Sequence, residues 1–149
     1  MLVSQKCQYA LRAVFELARR AGHGPVKIAD IANAQAIPPR FLEVILSQLK
    51  QSGFIDSQRG SDGGYILSRQ PDHLTVGEIL RFMQGPLGPI ECVTGDVRTK
   101  CPLHRGCVFL PMWEKVRDAM AGVYDNTTFQ DLLAQESQMQ EKYVPCYSI

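Results

Sequence analysis

Residues 27–67, K-I-A-D-I-A-N-A-Q-A-I-P-P-R-F-L-E-V-I-L-S-Q-L-K-Q-S-G-F-I-D-S-Q-R-G-S-D-G-G-Y-I-L, decide the fold. Their apolar period changes along the way. Ile28, Ile31 and Ala32 recur at helical spacing over 27–34, and Gln35, Ala36 and Ile37 break the pattern. Pro38-Pro39 then opens a second helical run, about 39–51, in which Leu42, Ile45, Leu46 and Leu49 share one face. Proline suits the first turn, where its missing N–H would be unpaired anyway. Beyond Ser52-Gly53, residues 54–58 and 65–67 form two short apolar runs around the glycine-bearing turn 59–64, which predicts a β-hairpin with a flexible tip.

Helix, tight break, helix and hairpin are the layout of a winged helix-turn-helix, whose second helix can lie in a DNA major groove about 12 Å wide. Opposite its core face this helix offers Arg40, Glu43, Ser47, Gln48 and Lys50, with Pro39 at its start. Arg59 sits at the hairpin tip beside Gly60, where little bulk hinders entry into a minor groove. Ser57, Gly60 and Ser61 complete the candidate DNA-contacting set, and Lys50 and Arg69 are the expected phosphate cations. The same layout also occurs in domains that bind proteins, so docking of a metabolic enzyme is the alternative class.

Outward from this stretch, residues 4–21 place Tyr9, Ala10, Ala13, Val14, Leu17, Ala18 and Ala21 at helical spacing, with Ser4 as N-cap and Gly22 past the end. Thr75-Val76-Gly77-Glu78 has capping-box form and opens a helix through Ile79, Leu80 and Met83, stopped by Gly85-Pro86. Residues 85–107 look like loop. From about 108, Phe109, Met112, Trp113, Val116, Met120 and Val123 recur at steps of three and four, which predicts a long helix whose partner is the core or a second subunit. Residues 125–128 cap a last short helix containing Phe129, Leu132 and Leu133, followed by a polar tail. The expected fold is mainly α with a small β-hairpin wing. It divides into a winged domain at 1–84, a cysteine-rich loop at 85–107 and a helical segment at 108–149.

At 149 residues the chain can bury a core without disulfides. Its net charge of +1 conceals an asymmetry: residues 1–84 carry ten Lys/Arg against seven Asp/Glu, and 85–149 carry six against eight. No apolar run approaches the roughly 18 to 20 residues of a membrane span, so a soluble, cytoplasmic protein is expected. An odd count of five cysteines in a reducing compartment points to buried, catalytic or metal-binding thiols rather than staples. An enzyme is not expected, because no nucleophile, base and orienting group occur together outside the cysteine loop and no phosphate-cradling motif is present.

S-Q-K-C-Q-Y-A-L-R-A at 4–13, I-A-D-I-A at 28–32, I-P-P-R-F-L-E-V-I-L-S-Q-L-K-Q-S-G-F-I at 37–55 and R-G-S-D-G-G-Y-I-L at 59–67 together resemble the Rrf2 family of bacterial transcription regulators, the IscR, NsrR and CymR type. The resemblance covers nearly the whole chain. It implies a homodimer on a partly palindromic operator in double-stranded DNA, with a long C-terminal dimerization helix matching the stripe from Phe109 to Val123. It also implies that Glu43 and its polar neighbours touch bases and that Arg59 enters the minor groove. Pro38 and Pro39 stand where some relatives have small polar residues.

Cluster-binding members of that family hold an iron-sulfur cluster with three cysteines in this loop, and Cys92, Cys101 and Cys107 fall there. Eight residues separate the first pair and five the second; the first gap is longer than in IscR-like members. Thiolates are the preferred ligands of such clusters, of which 2Fe-2S is expected ahead of 4Fe-4S, and a loop can fold around an irregular inorganic core. Arg98, Lys100 and Arg105 would offset part of the charge. For the fourth ligand the order is His104, then Cys7, then Gln8, which stands where some relatives supply an acidic residue from the other subunit. Zinc on Cys92, Cys101, His104 and Cys107, a reversible disulfide, and thiols without a role are the rival readings. Cys146 and His23 are expected to be incidental.

Overall fold

The computed structural model describes residues 2–95 and 101–143. Arg98, Lys100 and Cys146 lie outside the described residues. Helix α1 (Gln5–Arg19) starts at Ser4, whose hydroxyl accepts the Cys7 N–H at 3.2 Å. Helices α2 (Ile28–Gln35) and α3 (Pro39–Gln51) follow, then strands β1 (Ile55–Gln58) and β2 (Gly64–Leu67), α4 (Val76–Gln84), α5 (Leu110–Asp125) and α6 (Phe129–Tyr143). The winged helix-turn-helix layout and the mainly α composition with one small hairpin are as the sequence predicts.

The turn between α2 and α3 is made without glycine. Ala36 adopts φ 50°, ψ 48° and donates its N–H to the Ala32 carbonyl, while the Ile37 N–H bonds to the same oxygen at 3.0 Å. This left-handed residue reverses the chain so that Ile37 enters the core and Pro38 starts α3. Leu42, Ile45, Leu46 and Leu49 on α3 are all buried against Ala10, Ala13, Val14 and Leu17 of α1 and Ile31 of α2. Each such side chain contributes about 1.5–3 kcal/mol, which fixes the rotation of α3 and so decides which residues face solvent.

β1 and β2 pair antiparallel with Ile55 opposite Leu67 and Gln58 opposite Gly64. Val26 adds a bridge to Tyr65 through two bonds of 2.8 and 2.9 Å, so the hairpin is held against the body of the domain. Gly64 is needed at that crossing: a Cβ there would lie 2.4 Å from the Val26 carbonyl oxygen. Thr75 and Glu78 form the reciprocal capping box that opens α4.

Two features differ from the sequence expectation. The described residues of the loop 85–107 include two single turns of tight helix, Glu91–Val93 and His104–Gly106. The last helix is not short, because α6 runs fifteen residues. Its polar second half is rich in Gln, Glu, Ala and Lys, which favour helix without an apolar stripe to announce it. Thr128 and Asp131 cap it: the Thr128 hydroxyl accepts the Asp131 N–H, and the Asp131 carboxylate accepts the Thr128 N–H at 2.8 Å. Phe129 is fully buried and Leu132 and Leu133 are partly buried against the same core as α1, so α6 folds back onto the winged body.

Candidate nucleic-acid interface and cysteine loop

With its apolar side fixed, α3 turns Pro39, Arg40, Glu43, Ser47 and Lys50 to solvent, and Gln48 is half-buried at the flank. The hairpin stands beside the C-terminal end of this helix. Lys50 Nζ donates to Ser57 Oγ at 2.5 Å, which ties the last turn of α3 to β1 and leaves Ser57 half-buried. Arg59, Gly60 and Ser61 are exposed at the tip, and Gly60 has φ 111°, a conformation that favours glycine. All the candidate contact residues of the helix and the hairpin therefore belong to two elements joined by a side-chain bond. Arg69 is engaged otherwise: it bonds Glu78 Oε1 at 2.9 Å and lies over the Phe54 ring at 5.5 Å. Its expected role toward phosphate competes with these contacts.

Three further residues at this surface, Tyr9, Phe41 and Val44, are aromatic or apolar. Phe41 and Val44 on α3 are 60% and 54% exposed. Tyr9 lies 6.2 Å from the Phe41 ring, and the Arg12 guanidinium sits 5.9 Å from the Tyr9 ring, so a cation from α1 stands at the border of the α3 face. The signal in the sequence is the interruption of the polar positions of 39–51 by two large apolar ones.

Toward the C-terminal end of α1 lies a carboxylate that the helical pattern conceals. Glu16 is 1% exposed, and it accepts from Arg19 Nη2 at 2.5 Å, Arg20 Nε at 2.6 Å and Gln35 Nε2 at 2.8 Å. Burial alone would raise its carboxyl above the ordinary range. The hydrogen bonds from Gln35 and Arg20, with the charges of Arg19 and Arg20, outweigh burial and hold it below. Gln35 is the last residue of α2, so this cluster joins α1 to the turn that sets α3.

The cysteine loop leaves α4 and returns into α5. Cys92 lies half-buried in the turn Glu91–Val93, whose Val93 side chain is buried and whose Val93 carbonyl accepts from Arg117 Nη1 of α5 at 3.2 Å. Cys101 is exposed; its carbonyl accepts the His104 N–H at 3.1 Å, so these two residues share one turn. Cys107 is half-buried and its carbonyl accepts the Leu110 N–H at 3.3 Å at the start of α5. An open cavity of about 490 Å³ between the loop and α5 is lined by Arg81, Pro86, Val93, Thr94, Arg117 and Ala121. Cys92, Cys101 and Cys107 are free thiols outside the core, so the donor set suits a soft metal or iron-sulfur group. Among the described residues no three His, Cys, Asp or Glu side chains are gathered to hold a metal ion. The fit is one of chemistry and placement in the chain.

The other fourth-ligand candidates are elsewhere. Cys7 is fully buried with Leu80 and Leu87, and that burial pushes its thiol pKa up. Gln8 is exposed and donates to the Val3 carbonyl at 3.0 Å.

α5 supplies the dimerization candidates. None of its sixteen residues is buried. Met112, Val116 and Val123 are exposed, Trp113 and Met120 are half-buried, and Phe109 stands 61% exposed one position before the helix. Among the described residues no helix is long and apolar enough to cross a membrane.

The Rrf2 family pattern, described as an iron-dependent transcriptional regulator, matches residues 3–135. The HTH-type transcriptional regulator CymR of Bacillus subtilis is 35% identical over 144 residues, covering 97% of this chain and 98% of its own. A solved structure of CymR, described as the global cysteine regulator of B. subtilis, superposes with a TM-score of 0.74 at 36% identity, covering 91% of this chain and 98% of that one. The structure of T. potens IscR gives a TM-score of 0.76 at 33% identity, covering 94% and 91%.

Proposed function

The chain belongs to the Rrf2 family of transcriptional regulators, and on that premise we propose that it is a homodimer that lays α3 in the major groove of an operator, places the Arg59 wing in the adjacent minor groove, and answers to the state of the cysteine loop. It is a regulator and not an enzyme, as its relatives are named. The observation that carries the DNA reading is the joining of α3 to the wing by Lys50 and Ser57, which holds two groove-sized elements as one surface. Phosphate neutralisation releases counterions, so binding is steeply salt-dependent. Arg59→Ala is expected to weaken binding and reduce the salt slope by about 1 if the guanidinium meets phosphate, whereas Glu43→Ala relaxes base preference. Affinity unchanged in both variants would remove the proposed surface.

Dimerization through α5 is supported by a helix with an apolar stripe and no buried residue of its own. The stripe from Met112 to Val123 is the surface that a second copy would cover. Sedimentation of the full chain as a monomer at micromolar concentration would contradict it.

For the loop, Cys92, Cys101 and Cys107 would hold an iron-sulfur cluster, with His104 preferred for the fourth position over Cys7 and Gln8. His104 shares a turn with Cys101, whereas Cys7 would have to leave an apolar cluster and lose its proton. A bound cluster supplies a fixed point that ties the two limbs of the loop together. One limb is bonded to α5 through Arg117 and the other leads directly into α5, so ligation bears on the helix that spaces the two recognition helices. Anaerobic purification with a visible spectrum and iron, sulfide and zinc analysis tests this. A colourless, metal-free protein, with operator affinity unchanged when all three cysteines are replaced by serine, defeats the cluster reading and leaves the DNA reading standing.

A further inference from the structure

The solvent face of α3 has an apolar centre. At 100° per residue, Val44 lies about 150° from the mean direction of the buried row of Leu42, Ile45, Leu46 and Leu49, on the solvent face with Arg40, Ser47 and Gln51. Phe41 stands one turn earlier at its side, and Tyr9 lies against the Phe41 ring. A β-branched side chain in a helix has one strongly preferred χ1, so the two methyl groups of Val44, which is 54% exposed, are held in one orientation on that face. Valine also favours helix less than the long polar residues a merely solvated face would carry.

Val44 has no donor or acceptor, and with Phe41 it makes an apolar patch of two exposed side chains bordered by Arg40, Ser47 and Gln51. A docked protein would need a broader apolar patch. In a major groove the base edges offer hydrogen-bonding groups and one apolar group, the 5-methyl of thymine. We infer that Val44, flanked by Phe41, determines specificity by packing on a thymine methyl in each half-site, beside the polar readout by Glu43 and its neighbours. This rests on the reading of α3 as the groove helix.

The test begins with full-length protein, prepared anaerobically, selecting duplexes from a random library. Each thymidine of the enriched half-site is then replaced by deoxyuridine, which keeps every hydrogen-bonding group and removes only the methyl. At one position the substitution should weaken wild-type binding about three- to fivefold, the effect of one buried methyl. Val44→Ala, which retains a strong helix former but is two methyl groups smaller, should lose most of the preference for the thymidine over the deoxyuridine duplex. Wild-type protein indifferent to deoxyuridine at every position, yet still preferring the enriched duplex, overturns this inference and leaves the regulator reading intact. A Val44→Ala variant that keeps the wild-type methyl preference overturns it as well. Failure to enrich any duplex overturns both.

Discussion

Arg81 and Asp125, forty-four positions apart, are joined by two parallel hydrogen bonds, Nη1 to Oδ1 at 2.5 Å and Nη2 to Oδ2 at 2.7 Å. The pair clamps α4 of the winged body to the last residue of α5. The Arg81 hydrogen bond, helped by its charge, holds the Asp125 carboxyl below the ordinary range against the opposing effect of burial. A carboxyl with a lowered folded pKa stabilises the fold above its unfolded pKa, and that contribution fades as pH falls through the lowered value. Both side chains are about two-fifths exposed, so solvent screening keeps the pair near 0.5 kcal/mol. Urea unfolding should therefore show Arg81→Ala slightly less stable than wild type at neutral pH and indistinguishable from it in strong acid. A difference that grows on acidification would be inconsistent with the clamp.

Glu16 is the larger electrostatic commitment. Replacing it with alanine leaves Arg19, Arg20 and Gln35 without their common acceptor at a buried site, and about 2–4 kcal/mol of stability should be lost. The two arginines reach solvent, which places the outcome toward the lower end. Its lowered carboxyl gives the same sign as Asp125: the contribution is present at neutral pH and lost as pH falls through the folded value. A thermal melt of Glu16→Ala matching wild type at neutral pH would refute the assignment.

Ala36 predicts a gain. Its left-handed backbone carries a steric penalty for any residue with a Cβ, so Ala36→Gly should stabilise the fold by about 0.5–1 kcal/mol after the added freedom of the unfolded chain is subtracted. Equilibrium denaturation decides it, and a destabilised variant would mean the turn geometry is wrong.

Arg117 links the cysteine loop to α5. Arg117→Ala should lose about 0.5–1.5 kcal/mol and speed amide hydrogen exchange at Val93 and Thr94, where the bonded turn lies. Exchange at those amides that is the same in variant and wild type would break the proposed connection between loop and helix.

What the sequence disclosed follows from what has a period or a cap. The buried row of α3, the Ser4 cap and the Thr75–Glu78 box each depend on residues within a turn or two of one another, so they are legible in one dimension. Ala36 was not, because a left-handed turn residue is usually announced by glycine. Glu16 resembles any surface charge until Gln35, nineteen positions later, is brought against it. Val44 carries no polar group to mark it as a contact residue, and the second half of α6 favours helix with no buried stripe to announce it. The cysteine loop gave its chemistry through its thiols, but the spatial relation of those thiols depends on irregular backbone that no periodicity encodes.

The central claim is that α3 and the wing form one DNA-reading surface, and fluorescence anisotropy tests it most directly with the enriched duplex and a shuffled duplex of the same composition over a series of salt concentrations. The account predicts binding to the enriched duplex tighter by about a thousandfold or more, with log K falling linearly against log salt. Equal affinity for the two duplexes, or affinity that does not change with salt, would contradict it.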